Sequence, residues 1–456
     1  VLEEPTAALQ ARLFEEMKAR LKPDESSVPA IDGPWAYYRR YREGGEHAIH
    51  ARRPAALAFD GELTHEQVLA DGDALASQAM SEGAPYFDMR RALHSPDHRL
   101  FAFAVDDQGS EFFTIRFVEC ATGDVLDDRI EGAYGDFVWG ADSTTLYWVA
   151  RDENARPVAV LRRRLGTGRD EEIYREADPA FFVGVHKSRS RRFIFITAHT
   201  HATSEWRWFA SDAEDPRPRL IAPRETDVEY GVVDFDNRFW IRTNRGGALD
   251  FQVCSAPYES ESADAWRAEI PHRPGALILD LDAYADHLAR LERQNGQPRI
   301  LIRDRLSGDE HAIEFDMAAY ALDLAGGFGV GDELRFAVSS PARPAEVFDY
   351  DMTTRARILR TLFDRPRDAG QTPMDGSAPV LLYGYGAYGI TLPADFRTAR
   401  LSLVDRGFIY ATVDVRGSMA KGYGWYLDGK LEKKPNSFAD YIAGARALIE
   451  AGVTRE

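Results

Sequence analysis

The chain has 456 residues, 44% hydrophobic and 29% charged, a globular composition that excludes disordered and fibrous classes. Lys and Arg number 56 against 74 Asp and Glu, giving a net charge of −18 with His neutral. That balance excludes nucleic acid as the expected partner, since phosphate binding needs clustered positive charge. Two cysteines, Cys120 and Cys254, make no disulfide framework and point to a reducing compartment. No run reaches the roughly 18 apolar residues of a membrane span. Val1, Glu3 and Glu4 lack the basic and apolar regions of a secretory signal. A cytoplasmic protein without nucleic-acid or membrane partners is expected.

Residues 1–34 form the first segment. Leu9, Leu13, Phe14, Met17 and Leu21 recur at helical spacing, and Pro23 stops the helix. The apolar stripe predicts docking on a core, and acids on the other face disfavour an anionic membrane.

From about residue 35 short strands and turns repeat. Leu100 to Phe103 is followed by Leu146 to Val149, Phe193 to Ile196, Phe239 to Ile241, Leu288 to Leu291 and Leu334 to Ala337, at spacings of 46, 47, 46, 49 and 46. Turn residues precede most copies, as in Ser95-Pro96-Asp97 and Asp236-Asn237. A β-rich period of about 40–50 residues marks a propeller, whose four-stranded blades bury their faces only against neighbours. A further copy fits Ala36 to Tyr41, with an insertion over residues 55–90. Seven blades spanning 35–360 are expected.

Residues 361–456 read differently. Thr361 to Ala378 is a polar junction; Val380 to Tyr383 and Phe408 to Val415 are apolar strands. Leu401 to Asp405 suggests a helix. Asn436 or Ser437 caps another, in which Phe438, Tyr441, Ile442, Ala445, Leu448 and Ile449 share a face and Gly452 takes the C′ position. Strands alternating with helices predict a parallel α/β sheet. The fold class is therefore β plus α/β.

Several stretches then resemble the oligopeptidase B branch of the prolyl oligopeptidase family: Tyr383-Gly384-Tyr385-Gly386-Ala387-Tyr388-Gly389, Arg400 to Phe408, Trp425 to Lys430, Lys433-Lys434 and Asn436 to Tyr441. Upstream, Ser95-Pro96-Asp97, Thr203-Ser204-Glu205, Arg242-Thr243-Asn244 and Pro344-Ala345-Glu346-Val347 are similar to that family's blades. The resemblance implies a seven-bladed propeller followed by an α/β-hydrolase domain, here incomplete. It further implies a serine oligopeptidase that cleaves short basic peptides after Arg or Lys, with no metal or organic cofactor. The propeller would restrict substrate size.

Serine hydrolysis needs a nucleophile, a His base and an orienting carboxylate, with the nucleophile on a Gly-x-Ser-x-Gly elbow in this fold. No Gly-x-Ser-x-Gly occurs, and the last His is His311. The sequence reaches Glu456 before the family's elbow, lacks the family's N-terminal lead, and is shortened between Leu359 and Thr372. It is expected to be part of a longer enzyme and inactive by itself.

Two positions carry over from the resemblance. Tyr385 matches the tyrosine whose hydroxyl donates to the oxyanion. Asp395 matches one of two aspartates that favour a basic side chain beside the scissile residue; Pro393 occupies the other position, which weakens that preference. His199 and His201 lack a carboxylate or Cys partner by spacing and are ordinary turn histidines. Ser418, in Gly417-Ser418, lacks a base, and Met419 and Ala420 replace the family's usual residues. Arg162-Arg163-Arg164 reads as a solvated run. No phosphate-binding Gly-x-x-x-x-Gly-Lys-Ser/Thr is present. The alternatives are a non-catalytic propeller binding peptides or partner proteins, and prolyl specificity.

Overall fold

The seven apolar segments all become strands: Trp35–Arg40, Leu100–Asp106, Thr145–Arg151, Phe193–His199, Arg238–Thr243, His287–Gln294 and Glu333–Ser340. In the computed structural model, residues 4–60, 65–325, 327, 331–362 and 372–455 are described. Val1, Glu3, Glu456 and positions 363–371 of the junction lie outside them.

Six of those strands are second in their antiparallel sheet and Thr145–Arg151 is fifth in its own; most are buried on both faces because sheets stack face to face. Phe239 shows the packing. It is wholly buried, its ring 5.7, 5.8 and 5.4 Å from Phe193, Phe195 and Trp208 of the preceding sheet. One such side chain contributes about 1.5–3 kcal/mol by leaving water.

The sheets do not form seven separate four-stranded blades. Five sheets are four-stranded, while residues 88–175 form one seven-stranded sheet. The expected blade count is thus corrected to five four-stranded blades and one continuous double-length sheet. The cause is the 15-residue strand Val125–Trp139. Its first half pairs with Phe113–Glu119 and its second with Thr145–Arg151. Gly132 and Gly135, at φ of 74° and 109°, shift the register without ending the strand. The 55–90 insertion supplies the strand Gln67–Asp71 and a helix, α2 (Gly72–Ser81). Asp71 caps that helix by accepting from Ala74 N at 3.1 Å. Positions 61–64 of the insertion lie outside the described residues.

The first helix, α1 (Ala7–Lys18), buries no residue, and Leu9 and Phe14 stay exposed. The expected apolar docking is replaced by polar contacts to α3 (Thr398–Val404) and its end. Arg20 meets Ser402 Oγ at 2.5 Å and Asp405 at 2.7 Å, and Arg406 meets Glu16 at 2.7 Å.

The strands Val380–Tyr383 and Ile409–Thr412 pair in parallel, Val380 opposite Ile409. After α4 (Tyr423–Leu427) comes α5 (Pro435–Glu450). Its N-cap is Lys434 with Pro435 in the first turn, so the start falls earlier than Asn436 or Ser437. Its end is as expected: Gly452, at φ 69°, donates to Ile449 O, and Val453 N donates to Leu448 O. Phe438, Ile442 and Ile449 on its apolar face remain exposed among the described residues. No helix among those residues is long and apolar enough to cross a membrane.

Candidate active site

Parallel sheets bind ligands beyond the carboxyl ends of their strands, and Tyr385 stands two residues past Tyr383, the end of the first one. Its side chain is 46% exposed. Among the described residues its hydroxyl has no hydrogen-bond partner. A phenol O–H held at a strand end, with nothing accepting from it, is a donor available to a bound oxygen.

The backbone carrying it is fixed from three sides. Tyr441 of α5 donates its hydroxyl to Leu382 O. Lys434 Nζ and Ser437 Oγ both reach Gly386 O, the latter at 3.4 Å. Ser437 Oγ also donates to Arg416 O at 2.5 Å, so this serine ties two loops together and caps no helix. Arg416 is held by Asp440 through contacts of 2.6 and 2.8 Å. Those bonds keep the Asp440 carboxyl below the ordinary range, against the opposing effect of burial.

The loops approach too closely for side chains. A Cβ on Gly417, at φ 98°, would lie 2.1 Å from Gly386 O. Gly417→Ala is therefore expected to cost about 2–4 kcal/mol, from a left-handed backbone plus an unrelievable backbone clash. Urea unfolding measures this, and a loss below 0.5 kcal/mol, roughly the size of a neutral surface change, would show the loops are not so fixed.

The α/β unit is seated on the propeller. Buried Asp250 accepts from Tyr423 N at 2.7 Å and from Gly275 N at 2.6 Å. Tyr423 and Tyr426 pack with Phe251, Leu277 and Ile278. Arg293 donates to Thr391 Oγ1 at 3.2 Å. Burial pushes the Asp414 carboxyl up and the Arg293 guanidinium down, each tempered by the other. His201 meets Tyr388, three residues after Tyr385, with ring centroids 5.9 Å apart. This joint was invisible in the sequence because its partners lie 98 to 187 residues apart.

Asp395 is held in ion pairs. Its carboxylate bonds Arg397 at 2.9 Å and Arg400 at 3.0 Å, and Arg397 is the N-cap of α3. Ser418 is buried and its Oγ accepts from Ala420 N at 3.4 Å, with no His bonded to it among the described residues. Arg163 corrects the solvated-run reading: it is buried between Asp128 and Asp170, both at 2.6 Å. His199 and His201 belong to no described cluster of metal-ligating groups. One such cluster does occur elsewhere, Asp32 with His94 and His98, ligand atoms within 4.8 Å. Arg191 meets Asp32 at 2.6 Å and His94 meets it at 2.8 Å, so the carboxylate is already engaged by a cation and an imidazole.

A β-propeller seated on a parallel α/β unit, with a tyrosine hydroxyl presented at the strand ends, defines a two-domain propeller-capped protein. The chain belongs to the prolyl oligopeptidase family: the profile for its N-terminal beta-propeller domain matches residues 3–361, and that of the prolyl oligopeptidase family matches residues 394–456. Members of this family include serine peptidases similar to this chain. Dipeptidyl aminopeptidase BI of Pseudoxanthomonas mexicana is 32% identical over 98% of this chain and 67% of that protein. Protease 2 of Moraxella lacunata is 28% identical over 97% and 67%. Oligopeptidase B from Leishmania major superposes with a TM-score of 0.92 at 25% identity, covering 99% of this chain and 68% of that one. The chain thus spans about two thirds of the length of these relatives.

Proposed function

We propose that the whole protein is a cytoplasmic serine oligopeptidase that hydrolyses short peptides after Arg or Lys, with Tyr385 donating to the oxyanion. The observation that carries this reading is the Tyr385 hydroxyl, exposed and without a partner among the described residues, on a backbone clamped by Tyr441, Lys434 and Ser437. A donor fixed before the reaction begins costs no reorganisation as negative charge develops. The resemblance of Tyr383 to Gly389, Trp425 to Lys430 and Asn436 to Tyr441 to the oligopeptidase B branch supports the basic specificity. Two buried, free cysteines fit a reducing compartment.

The nucleophile, base and orienting acid are assigned to residues other than these 456, which hold no Gly-x-Ser-x-Gly and no His after His311. An aryl phosphonate bearing an arginine-like side chain should therefore label the whole protein at one serine and leave the 456-residue chain unlabelled. Mass spectrometry reads both. An unlabelled whole protein would return the propeller to a peptide-binding role without catalysis.

Asp395 contributes a modest preference for a basic residue before the cleaved Arg. An unpaired carboxylate about 4 Å from a substrate cation would gain roughly 1–4 kcal/mol, but Arg397 and Arg400 already neutralise this one. Asp395→Asn should reduce kcat/KM for a Lys-Arg substrate by less than about tenfold, and for an Ala-Arg substrate not at all. Equal losses for both would assign Asp395 to holding the loop.

A further inference from the structure

The first strands of five sheets converge on a cavity of about 410 Å³ in the propeller. Its wall carries four cations, Arg91, Lys187, Arg189 and Arg191, against three carboxylates, Asp32, Asp234 and Asp282. A cationic surplus there runs against the −18 of the whole chain.

The carboxylates are engaged. Asp32 is held by Arg191 at 2.6 Å and His94 at 2.8 Å. Asp282 receives Arg189 Nε at 2.9 Å, and Asp234 receives the hydroxyls of Ser190 and Tyr258. Two cations are left with incomplete compensation. The nearest described carboxylate to Arg91 is Asp136 at 3.8 Å, beyond hydrogen-bond length. Lys187 has no described carboxylate within that range; its ammonium donates to Trp139 O at 2.8 Å. Burial and the neighbouring Arg191 bring it down to about 8, with Asp142 opposing them.

A cation surplus on the wall of a half-open cavity is stabilised by an anion, and planar guanidinium with a point-like ammonium suits an oxygen-bearing one. We propose that the propeller cavity is a binding site for an oxyanion, a carboxylate or phosphate group, held by Arg91 and Lys187. His186 lies on the same wall, its ring stacked on Trp206 and its Nε2 3.5 Å from Thr197 Oγ1. The ligand is either the acidic group of a peptide or a free phosphate, and the two are separable by experiment.

Trp139 and Trp206 line the cavity, so occupancy is readable by tryptophan fluorescence. The whole protein is titrated with inorganic phosphate, and separately with an N-acetylated tetraglutamate peptide, which has no Arg or Lys to cleave. Sodium chloride at equal ionic strength is the control. A saturable change with phosphate, with the peptide or with both is expected. In Arg91→Gln and in Lys187→Gln the half-saturation concentration should rise about tenfold or more, one charged hydrogen bond being lost. A response to phosphate alone identifies free phosphate as the ligand, and one to the peptide alone identifies peptide carboxylates. No saturable change with either, a change that chloride reproduces, or one undiminished in both variants would overturn the proposal. Far-UV circular dichroism confirms that each variant is folded, and calorimetric titration of the unsubstituted protein gives a reading independent of both.

Discussion

Replacing Tyr385 by Phe in the whole protein is expected to lower kcat by roughly 10²–10³, with a much smaller change in KM. The substitution removes one oxygen and little volume. It leaves the backbone contacts of Gly386 and Leu382 in place, because those are made by Lys434, Ser437 and Tyr441. The lost hydroxyl has no partner among the described residues, so its removal orphans none of them and stability should hold within about 0.5 kcal/mol. The split is diagnostic: an interaction made only when the oxyanion forms affects kcat, whereas one made equally with bound substrate affects KM. An unchanged kcat with chemistry rate-limiting would make Tyr385 a strand-end aromatic with no part in the reaction.

The largest stability effect is expected at Arg290. It is 1% exposed, and its guanidinium meets Glu292 at 2.6 Å and Glu310 at 2.9 and 3.1 Å. Glu292 is equally buried and is reached from outside by Arg273 at 2.8 Å. Arg290→Met deletes the central cation and leaves Glu292 in a low-dielectric wall with one cation at its edge. The expected cost is about 3–5 kcal/mol. Adding Glu292→Leu should recover part of that loss, since it removes the stranded charge. Burial pushes the Glu310 carboxyl up, but Arg290 outweighs it and the net effect is a lowered value. A lowered folded value gives stability present above the unfolded carboxylate range, near about 4.3, and lost as pH falls through the folded value. Arg290→Met should therefore flatten the acid limb of the unfolding curve. Urea midpoints at pH 7 and pH 4 measure both effects, and a loss below about 1 kcal/mol would show that the guanidinium is not central to the blade.

Much of this architecture was readable because interior strands of the propeller sheets are buried on both faces. Leu146 to Val149 and Phe193 to Ile196 are unbroken apolar runs for that reason. The first strands were harder: in Asp88–His94 Arg91 lines the cavity while Arg90 lies over Phe113 and pairs with Asp88, so the two arginines interrupt any hydrophobic pattern. The blade count failed at Val125–Trp139, where two glycines that resemble a turn shift the register within one strand. On α1 the apolar spacing marked a helix correctly, yet its docking uses Arg20, Glu16 and Arg406, which periodicity does not report. At the site, Tyr385 stands out through the resemblance of Tyr383 to Gly389 to the family, and not through any periodicity. The pairing of Asp395 with Arg397 and Arg400 depends on how the chain turns into α3, and Asp250 reaches Tyr423 across 173 residues. Long-range polar partners of this kind leave no periodic trace.

The most direct test of basic-specific hydrolysis is a comparison of kcat/KM for three fluorogenic amides with the whole protein: an N-blocked arginyl, an N-blocked prolyl and an unblocked dipeptidyl substrate. The arginyl amide should be cleaved at least about a hundredfold faster than the prolyl one, the margin of a buried charged contact worth about 3 kcal/mol. Blocking the N-terminus should cause no loss. Hydrolysis confined to the unblocked dipeptidyl substrate, or faster cleavage after proline, would contradict the assignment.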